Sequence, residues 1–223
     1  MMSPTNLERN LKSLTDGLLV MASMVEQSIH SAVEALKTRN MELAEKVIKD
    51  DDHIDYKCVE LEEACIEIIA TQQPMAVDLR VLVSVLTIIV ELERMGDYAE
   101  GIAKINIRMG DEGLLKPLVD IPRMAEKSTD MLRRSISAFL SRDADAARQI
   151  IKDDDEVDSL YDQVFRELLT FMIEDPKSIQ KATYLIWAAH DLERIADRAT
   201  NIAERVVFTV TGKKEDVGAS HYS

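Results

Sequence analysis

The sequence predicts an all-α protein built from six long helices. Apolar residues recur at spacings of three and four residues almost from end to end, which is the pattern of helices that bury one face. Residues that break helices are scarce, since the 223 residues include only 7 Gly and 5 Pro. So few breakers leave room for few turns, which argues against a β-sandwich or a β-barrel.

Three helices are predicted in the first half of the chain, over about residues 7–36, 41–70 and 74–109. The polar segment 38–40 interrupts the apolar pattern after the first helix. Pro74 follows the second helix and suits the first turn of the third, where a missing N–H loses no helical partner. Gly110 follows the third helix, and glycine readily adopts the left-handed backbone that ends a helix.

Three more helices are predicted in the second half, over about residues 120–140, 143–174 and 176–211. Asp120 precedes Pro122, which is the pattern of a capping residue followed by a proline in the first turn. Asp175 and Pro176 repeat this pattern at the start of the sixth helix. The polar remainder, residues 213–223, is expected to be a frayed C-terminal tail.

The two halves of the chain resemble each other. Residues 48–55 match residues 151–158 at six of eight positions, with an offset of 103. Residues 92–103 match residues 192–203 at seven of twelve positions, with an offset of 100. Because both blocks keep their order, the halves are predicted to be two pseudo-symmetric three-helix bundles. The predicted units are residues 1–112, residues 113–212 and the tail.

Each half contains two pairs of acidic residues with four-residue spacing. The pairs are Asp51/Asp55, Glu93/Asp97, Asp154/Asp158 and Glu193/Asp197. This spacing places both carboxylates on one helix face, where like charges destabilise the helix by about 0.2–0.5 kcal/mol per pair. Their repetition favours a metal site, because carboxylates suit Mg²⁺, Mn²⁺, Ca²⁺ or oxidised iron. The alternative is a solvated acidic face, or neutralisation by neighbours such as Arg94, Arg194 and Arg198.

Gly96 and Ala196 occupy equivalent positions inside the acidic pairs of the third and sixth helices. A small residue there allows a neighbouring helix or a metal cluster to approach, and a tight helix crossing without a ligand explains it equally well. His53 and His190 are not repeated between the halves, so the sequence lacks the paired Glu-x-x-His motifs of a ferritin-like oxidase. His190 is expected to be a buried or boundary histidine.

The composition restricts the partners and the location. With 27 Lys and Arg against 41 Asp and Glu, the formal net charge is −14, which argues against direct binding to nucleic acid or anionic lipid. The longest apolar run, residues 81–90, is about half as long as a membrane span. Cys58 and Cys65 lie too far apart along their predicted helix for a disulfide, which favours the cytosol. No catalytic motif is present, so enzyme activity is not predicted.

Three segments carry a resemblance to a known family. They read QQPMAVDLR at residues 72–80, LERMGD at residues 92–97 and LERIADRATNIA at residues 192–203. Together they closely resemble PhoU, a family of bacterial and archaeal phosphate-uptake regulators, and the resemblance extends over about residues 5–211. It implies two pseudo-symmetric three-helix bundles in a cytoplasmic protein that is often a homodimer.

The resemblance also implies partners and a role. PhoU proteins associate with the Pst phosphate transporter, and the resemblance implies that this protein contacts the transporter's ATPase. It implies contact with the membrane only through such protein partners. Through a PhoR-type sensor histidine kinase they act as negative regulators that keep the phosphate-starvation (Pho) response off. The resemblance therefore implies an adaptor between transporter and kinase.

Some family members hold multinuclear metal clusters on Glu/Asp-x-x-x-Asp motifs, which correspond to the four acidic pairs given above. The resemblance implies iron, manganese or zinc, with magnesium and calcium left open. One departure concerns Gly101, which stands where the family commonly has Asn and where the second half has Asn201. The first site therefore lacks a ligand or hydrogen-bond donor, and the two sites need not bind metal equally. Two other interpretations stay open, a carboxylate-bridged metal-dependent enzyme and a metal-free structural interaction bundle.

Overall fold

The computed structural model describes residues 6–110 and 113–213, and it confirms the predicted all-α fold. The helices are α1 (Asn6–Thr38), α2 (Met41–Gln72), α3 (Val77–Arg108), α4 (Asp120–Ser141), α5 (Ala144–Glu174) and α6 (Ile179–Thr211). A single 3₁₀ turn, Pro176–Ser178, precedes α6. From residue 214 onward the predicted frayed tail lies outside the described residues, as do Asp111 and Glu112 at the predicted boundary between the bundles.

Several helices begin and end on local side-chain chemistry. Asn40 caps α2, because its side chain accepts a hydrogen bond from the Leu43 N–H at 2.9 Å. Asp143 caps α5 in the same way, with acceptance from two backbone N–H groups. Asp175 and Pro176 open the 3₁₀ turn before α6, as the sequence pattern predicts. Gly110 has a φ of 62°, the left-handed conformation expected after α3.

Two predicted helix starts are wrong. α3 begins at Val77, and Pro74 lies in the irregular segment before it rather than in its first turn. Gln73 and Ala76 flank that segment with φ values of 48° and 44°, so the chain needs several non-helical residues to reverse between α2 and α3.

Asp120 is not the cap of α4 but its first helical residue, and Val119 takes the cap position without a side-chain hydrogen bond. The Asp120 carboxylate is buried and accepts a hydrogen bond from Gln163 of α5 at 3.3 Å. Pro122 still lies in the first turn, where it removes no helical hydrogen bond. The orientation of Asp120 is therefore determined by the packing of α4 on α5, which the sequence pattern around Asp120 does not encode.

The helices form two groups of three that pack on each other. α1, α2 and α3 pack together, as do α4, α5 and α6, and the groups meet through α3 against α6 and α1 against α4. The Ser84 and Thr209 hydroxyls lie 2.7 Å apart, and Asn201 donates to Glu91 at 3.2 Å. The order of these contacts reverses from one helix to the other, so α3 and α6 run antiparallel.

The core is centred on α3 and α6, which make the larger of the two contacts between the groups. Their apolar residues are almost fully buried, including Leu92 and Ile102 of α3 and Leu192 and Ile202 of α6, all at 0% exposure. α2 and α5 contact only helices of their own group, so their outer faces reach the surface. Cys58 and Cys65 are free thiols, as predicted. Across the described ranges, no helix is both long and apolar enough to cross a bilayer.

Asn106 joins the end of α3 to the turn between α1 and α2. It is fully buried, and its amide donates to the backbone carbonyls of Ala35 and Asn40 at 3.1 and 3.2 Å. Arg39 donates to the Asn106 side-chain carbonyl. This one side chain therefore satisfies three polar groups at the closed end of the first bundle.

Asn106→Ala is expected to lower the free energy of unfolding by about 1–3 kcal/mol, because the Ala35 and Asn40 carbonyls each lose one of their donors and Arg39 loses an acceptor. Chemical denaturation at an unchanged slope measures the loss. Ser141→Ala is the control, since that hydroxyl is exposed and donates a hydrogen bond within its own helix, to the Ser137 carbonyl. A loss below about 0.5 kcal/mol, the level of a neutral surface change, would show that water replaces the Asn106 amide.

Candidate metal centre

Three acidic side chains converge where α2 packs on α3. Asp51 and Asp55 of α2 and Asp97 of α3 each offer a carboxylate oxygen, and the three oxygens lie within 4.8 Å of one another. Asp51 is buried, whereas Asp55 and Asp97 are exposed. The four-residue spacing on α2 turns both of its aspartates toward α3. The structure thus brings three of the four predicted first-half residues into one cluster.

Glu93, the fourth predicted residue of this half, lies one turn before Asp97 on α3 and is half-buried. It stands outside the tight group of three, but the charges of Asp97 and Asp55 raise its pKa after the larger effect of burial. Glu93 therefore faces the same acidic cluster from its edge.

Gly96 makes the close approach of α2 possible. A Cβ atom at this position would lie 2.9 Å from Asp51 Oδ1, closer than Cβ atoms are found, and 3.1 Å from Ile54 Cδ1, a tight contact. The Asp51 carboxylate consequently rests against the α3 backbone. Its Oδ1 atom is buried and has no hydrogen-bond partner within the described part of the chain, so it is an acceptor without a donor.

Burial and like charge both act on the first cluster. Burial raises the pKa of Asp51 to about 7, assisted by the charges of Glu100, Asp55 and Asp97 and opposed by Lys104. Burial, Asp55 and Glu100 also raise the pKa of Asp97. Lys104 forms an ion pair with Glu100 at 2.5 Å. Sequence reasoning missed Glu100 and Lys104, although they follow Asp97 at helical spacings of three and seven residues.

The second group of predicted residues lies where α5 packs on α6. Burial raises the pKa of Asp154 and of Glu193 to about 7, and the charge of Asp197 adds to both shifts. The pKa of Asp158 is raised by burial first and then by Asp197. Because these carboxylates act on one another across the two helices, all four predicted residues of this half face one another.

Within the described residues, the second cluster differs from the first in forming a direct ion pair with arginine. Arg194 Nη1 lies 2.7 Å from Asp197 Oδ2, so one of the four carboxylates is already paired. Arg198 lies 4.0 Å from Asp197 Oδ2 and also reaches Glu91 of α3 at 3.3 Å. Ion pairing with arginine, the alternative considered from the sequence, is thus observed at Asp197. At the first cluster, by contrast, the charges of Lys104 and Arg94 oppose the rise in the pKa of Asp97 without an ion pair to it among the described residues.

His190 is also close to the second cluster. Its side chain is 52% exposed, so it is not buried, and its Nδ1 atom lies 3.4 Å from Glu193 Oε2. Desolvation and Arg194 lower its pKa, which favours the neutral imidazole. The equivalent position of α3 is Val90, so only the second half has a ring nitrogen here.

The departure at Gly101 affects the contact between the bundles. Asn201 donates to Glu91 Oε2 at 3.2 Å rather than to an acidic pair. On the opposite side of the α3–α6 contact, a Cβ at Gly101 would lie 2.9 Å from Asp191 Oδ2. Burial alone raises the pKa of Asp191 to about 7. Sequence reasoning missed Glu91 and Asp191, which are acidic residues 100 positions apart on otherwise apolar helix faces.

Stability of the metal-free protein is expected to fall as the pH rises from about 4 to about 7. Asp51, Asp154 and Glu193 have folded pKa values of about 7 against ordinary values of 3.8 and 4.5. Between those limits the folded state holds more protons than the unfolded state, so the stability present at low pH is lost as the pH passes the folded pKa.

Unfolding in chelator at several pH values measures this dependence. Asp51→Asn removes the buried charge and is expected to stabilise the metal-free protein at pH 8 by about 1–3 kcal/mol, with no gain near pH 4. Asp52→Asn, at the exposed neighbouring position, is the control. Parallel pH curves for the wild type and Asp51→Asn would contradict the prediction.

The residues present fit a cation. The Oδ1 atom of Asp51 is buried against the backbone at Gly96 and makes no hydrogen bond within the described residues. All donors are carboxylates, apart from His190 at the edge of the second cluster, and such hard oxygen ligands suit Mg²⁺, Ca²⁺, Mn²⁺ and iron. The first cluster is therefore the better candidate for a cation, because its three aspartate oxygens lie within 4.8 Å of one another, whereas among the described residues the second cluster brings no three ligand atoms that close together.

Comparison with known proteins places the chain in a family. The model of the PhoU domain matches it twice, over residues 18–105 and 121–206. A phosphate-specific transport system accessory protein PhoU homologue of Aquifex aeolicus is 43% identical over 84% of this chain and 85% of its own length. The PhoU protein of Escherichia coli is 34% identical over 91% of this chain and 84% of its own length.

Two solved structures have the same architecture. The crystal structure of PhoU from Pseudomonas aeruginosa superposes with a TM-score of 0.87 at 36% identity, and covers 92% of this chain and 99% of that one. The phosphate transport system regulatory protein PhoU from Streptococcus pneumoniae also gives 0.87, at 29% identity, over 95% and 100% of the two chains. Because the family model matches both halves and the relatives match nearly end to end, the chain belongs to the PhoU family.

Proposed function

We propose that this protein is an accessory protein of a phosphate-specific transport system and a negative regulator of the phosphate-starvation (Pho) response. The supporting observation is the extent of the match, since relatives with the accessory-protein name align over 84% and 94% of the chain. The two PhoU-domain matches, over residues 18–105 and 121–206, include all eight residues of the acidic pairs. The proposed protein is cytoplasmic and homodimeric, and its role is non-enzymatic.

In the proposed mechanism the protein is an adaptor. Two rigid bundles present acidic faces to the ATPase of the Pst transporter and to a PhoR-type sensor histidine kinase. Contacts that differ between the states of either partner would shift that partner's activity. The family name supports the transporter as one partner, and the net charge of −14 supports basic protein surfaces over nucleic acid.

Metal clusters are the second part of the proposal. The proposed ligands are Asp51, Asp55, Glu93, Asp97, Asp154, Asp158, Glu193 and Asp197. Bound iron, manganese or zinc would neutralise two acidic faces and hold α2 against α3 and α5 against α6. The unpartnered Asp51 oxygen and the convergence of Asp51, Asp55 and Asp97 support the first of these sites.

The metal-free interaction bundle is the second candidate, because the Arg194–Asp197 ion pair already neutralises part of one cluster. In that case the acidic faces would themselves be docking surfaces. A carboxylate-bridged enzyme is the third interpretation, and oxygen consumption by the metal-loaded protein would support it.

The adaptor role is tested by binding to the purified Pst ATPase and to the kinase. The four-carboxylate variant carries Glu93→Ala, Asp97→Ala, Glu193→Ala and Asp197→Ala. The charge-matched control carries Glu45→Ala, Glu63→Ala, Glu126→Ala and Glu174→Ala, which are exposed positions outside the clusters. We expect wild type and control to bind both partners and the four-carboxylate variant to bind at least about tenfold more weakly.

Two results would contradict parts of the proposal. Wild-type protein that binds neither partner would contradict the adaptor role. A four-carboxylate variant that binds as tightly as the control would show that neither the metal nor the acidic pairs contribute to docking.

A further inference from the structure

Two equivalent grooves run along the outer side of the bundles. One lies between α1 and α2 and has a volume of about 510 Å³. The other lies between α4 and α5 and has a volume of about 570 Å³. Seven lining positions of the first correspond to lining positions of the second at the offset of 103 that relates residues 48–55 to residues 151–158. The grooves are therefore the same place in the two halves.

The α4–α5 groove is neutralised from within the chain. Arg134 of α4 donates to Asp153 of α5 at 2.7 Å. Two turns away on the same helix, Lys127 donates to Glu156 of α5. Each carboxylate on the α5 side thus has a cation on the α4 side.

The α1–α2 groove has a carboxylate but lacks the two cations that α4 supplies in the other groove. Asp50 stands at the position of Asp153, whereas Ser31 and Met24 replace the cations Arg134 and Lys127. No ion pair of Asp50 occurs in the part of the chain that the structure describes. Ser28, which also lines the groove, has a buried hydroxyl without a hydrogen-bond partner among the described residues.

We propose that the α1–α2 groove binds an arginine side chain of a partner protein, with its guanidinium on Asp50. The partner's arginine takes the place that Arg134 has in the other groove. Its aliphatic part packs on the apolar lining, which includes Met24 and Val47. Its remaining N–H groups find a hydroxyl acceptor in Ser31, which also lines the groove. This proposal does not depend on metal in the acidic clusters.

Lys46 also lines this groove and lies one turn before Asp50. It occupies the position of Gln149, which donates to Asp153 at 2.9 Å in the other half. Lys46 is exposed and is a competitor for Asp50. Lys46→Gln is therefore expected to tighten binding of an arginine ligand by about twofold to fivefold.

The test uses a blocked pentapeptide, acetyl-Ala-Ala-Arg-Ala-Ala-amide, added to the full-length protein. Backbone amide shifts in NMR report where it binds. We expect the shifts to centre on Ser28, Ser31 and Asp50, and to vanish when citrulline, which is neutral, replaces the peptide's arginine. Asp50→Asn is expected to weaken binding by about tenfold, as for loss of a charge-assisted hydrogen bond.

Two further variants make the result specific. Asp52→Asn removes the same charge from an exposed position beside the groove and is expected to leave binding within about twofold. Ser31→Arg supplies the cation within the chain and is expected to abolish binding of the peptide. It is also expected to raise the melting temperature slightly, as a new ion pair with Asp50.

The proposal is overturned by shifts spread over the whole acidic surface, by equal losses in Asp50→Asn and Asp52→Asn, or by no localised shifts at millimolar peptide. Inorganic phosphate is the second probe. Phosphate that shifts the groove in a Lys46-dependent manner, while the peptide does not, would show an anion site instead. Because the readout needs neither transporter nor metal, its failure is separate from failure of the proposed function.

Discussion

Protein purified without an affinity tag or added metal is expected to contain more than one ion of iron, manganese or zinc per chain. The four-carboxylate variant is expected to contain none. Each of its clusters loses both carboxylates of α3 or α6, which leaves the two aspartates of α2 or α5 alone. Two carboxylates on one helix face cannot surround an ion from both sides, so affinity falls steeply.

Elemental analysis, reported as ions per chain, measures this effect. The charge-matched control defined above loses the same four charges at exposed positions and is expected to keep the wild-type metal content. It separates ligation in the clusters from nonspecific attraction of cations to a protein with a net charge of −14.

Stability gives a second readout that does not depend on purification history. Removing metal from the wild type with a chelator is expected to lower its melting temperature, since an ion that binds only the folded state stabilises it. The four-carboxylate variant is expected to show no change with chelator. Equal metal content in the variant and the control, or a wild type free of metal, would contradict the cluster sites and leave the acidic faces as docking surfaces.

Local sequence chemistry predicted the helices well where the helix end depends on its own residues. Asp143, Asp175 and Gly110 act through backbone groups one to three positions away, so their patterns can be interpreted without knowledge of the fold. Asp120 failed as a cap because Gln163, more than forty residues later, binds its carboxylate. The position of Pro74 depends on the reversal between α2 and α3, which no capping pattern encodes.

The candidate site was predictable to the extent that helical spacing defines one face of one helix. The spacing of Asp51 and Asp55, together with the repeat, placed both aspartates on one face. It could not show that Asp97 completes the group of three or that Glu93 lies at the edge of that group. Nor could it show that Arg194 forms an ion pair with Asp197 in the other half. Those differences depend on the register between neighbouring helices, and the ligand assignment itself stays a prediction.

The register at the first cluster depends on Gly96, and Gly96→Val is expected to remove metal from the first cluster only. The new Cβ would lie 2.9 Å from Asp51 Oδ1 and 3.1 Å from Ile54 Cδ1, and the two Cγ atoms of valine add to this crowding, so the Asp51 carboxylate is displaced from α3. Overpacking of this kind lowers the free energy of unfolding by about 1–3 kcal/mol. If both clusters are filled in the wild type, the variant is expected to hold about half as many ions per chain.

Two matched variants test whether metal is lost because α2 and α3 can no longer approach closely, or because the whole protein is destabilised. Gly96→Ala gives α3 the residue that α6 has at Ala196, and its gain in helix propensity of up to about 1 kcal/mol offsets much of the smaller clash. We expect it to remain as stable as the wild type and to bind metal at the first cluster more weakly. Ala196→Val is the reciprocal change and is expected to deplete the second cluster. A metal ion held by the Asp51 carboxylate cannot stay in place when that carboxylate is displaced. Equal loss of metal from both clusters in Gly96→Val, or full retention of metal in that variant, would therefore show that the glycine serves helix packing alone.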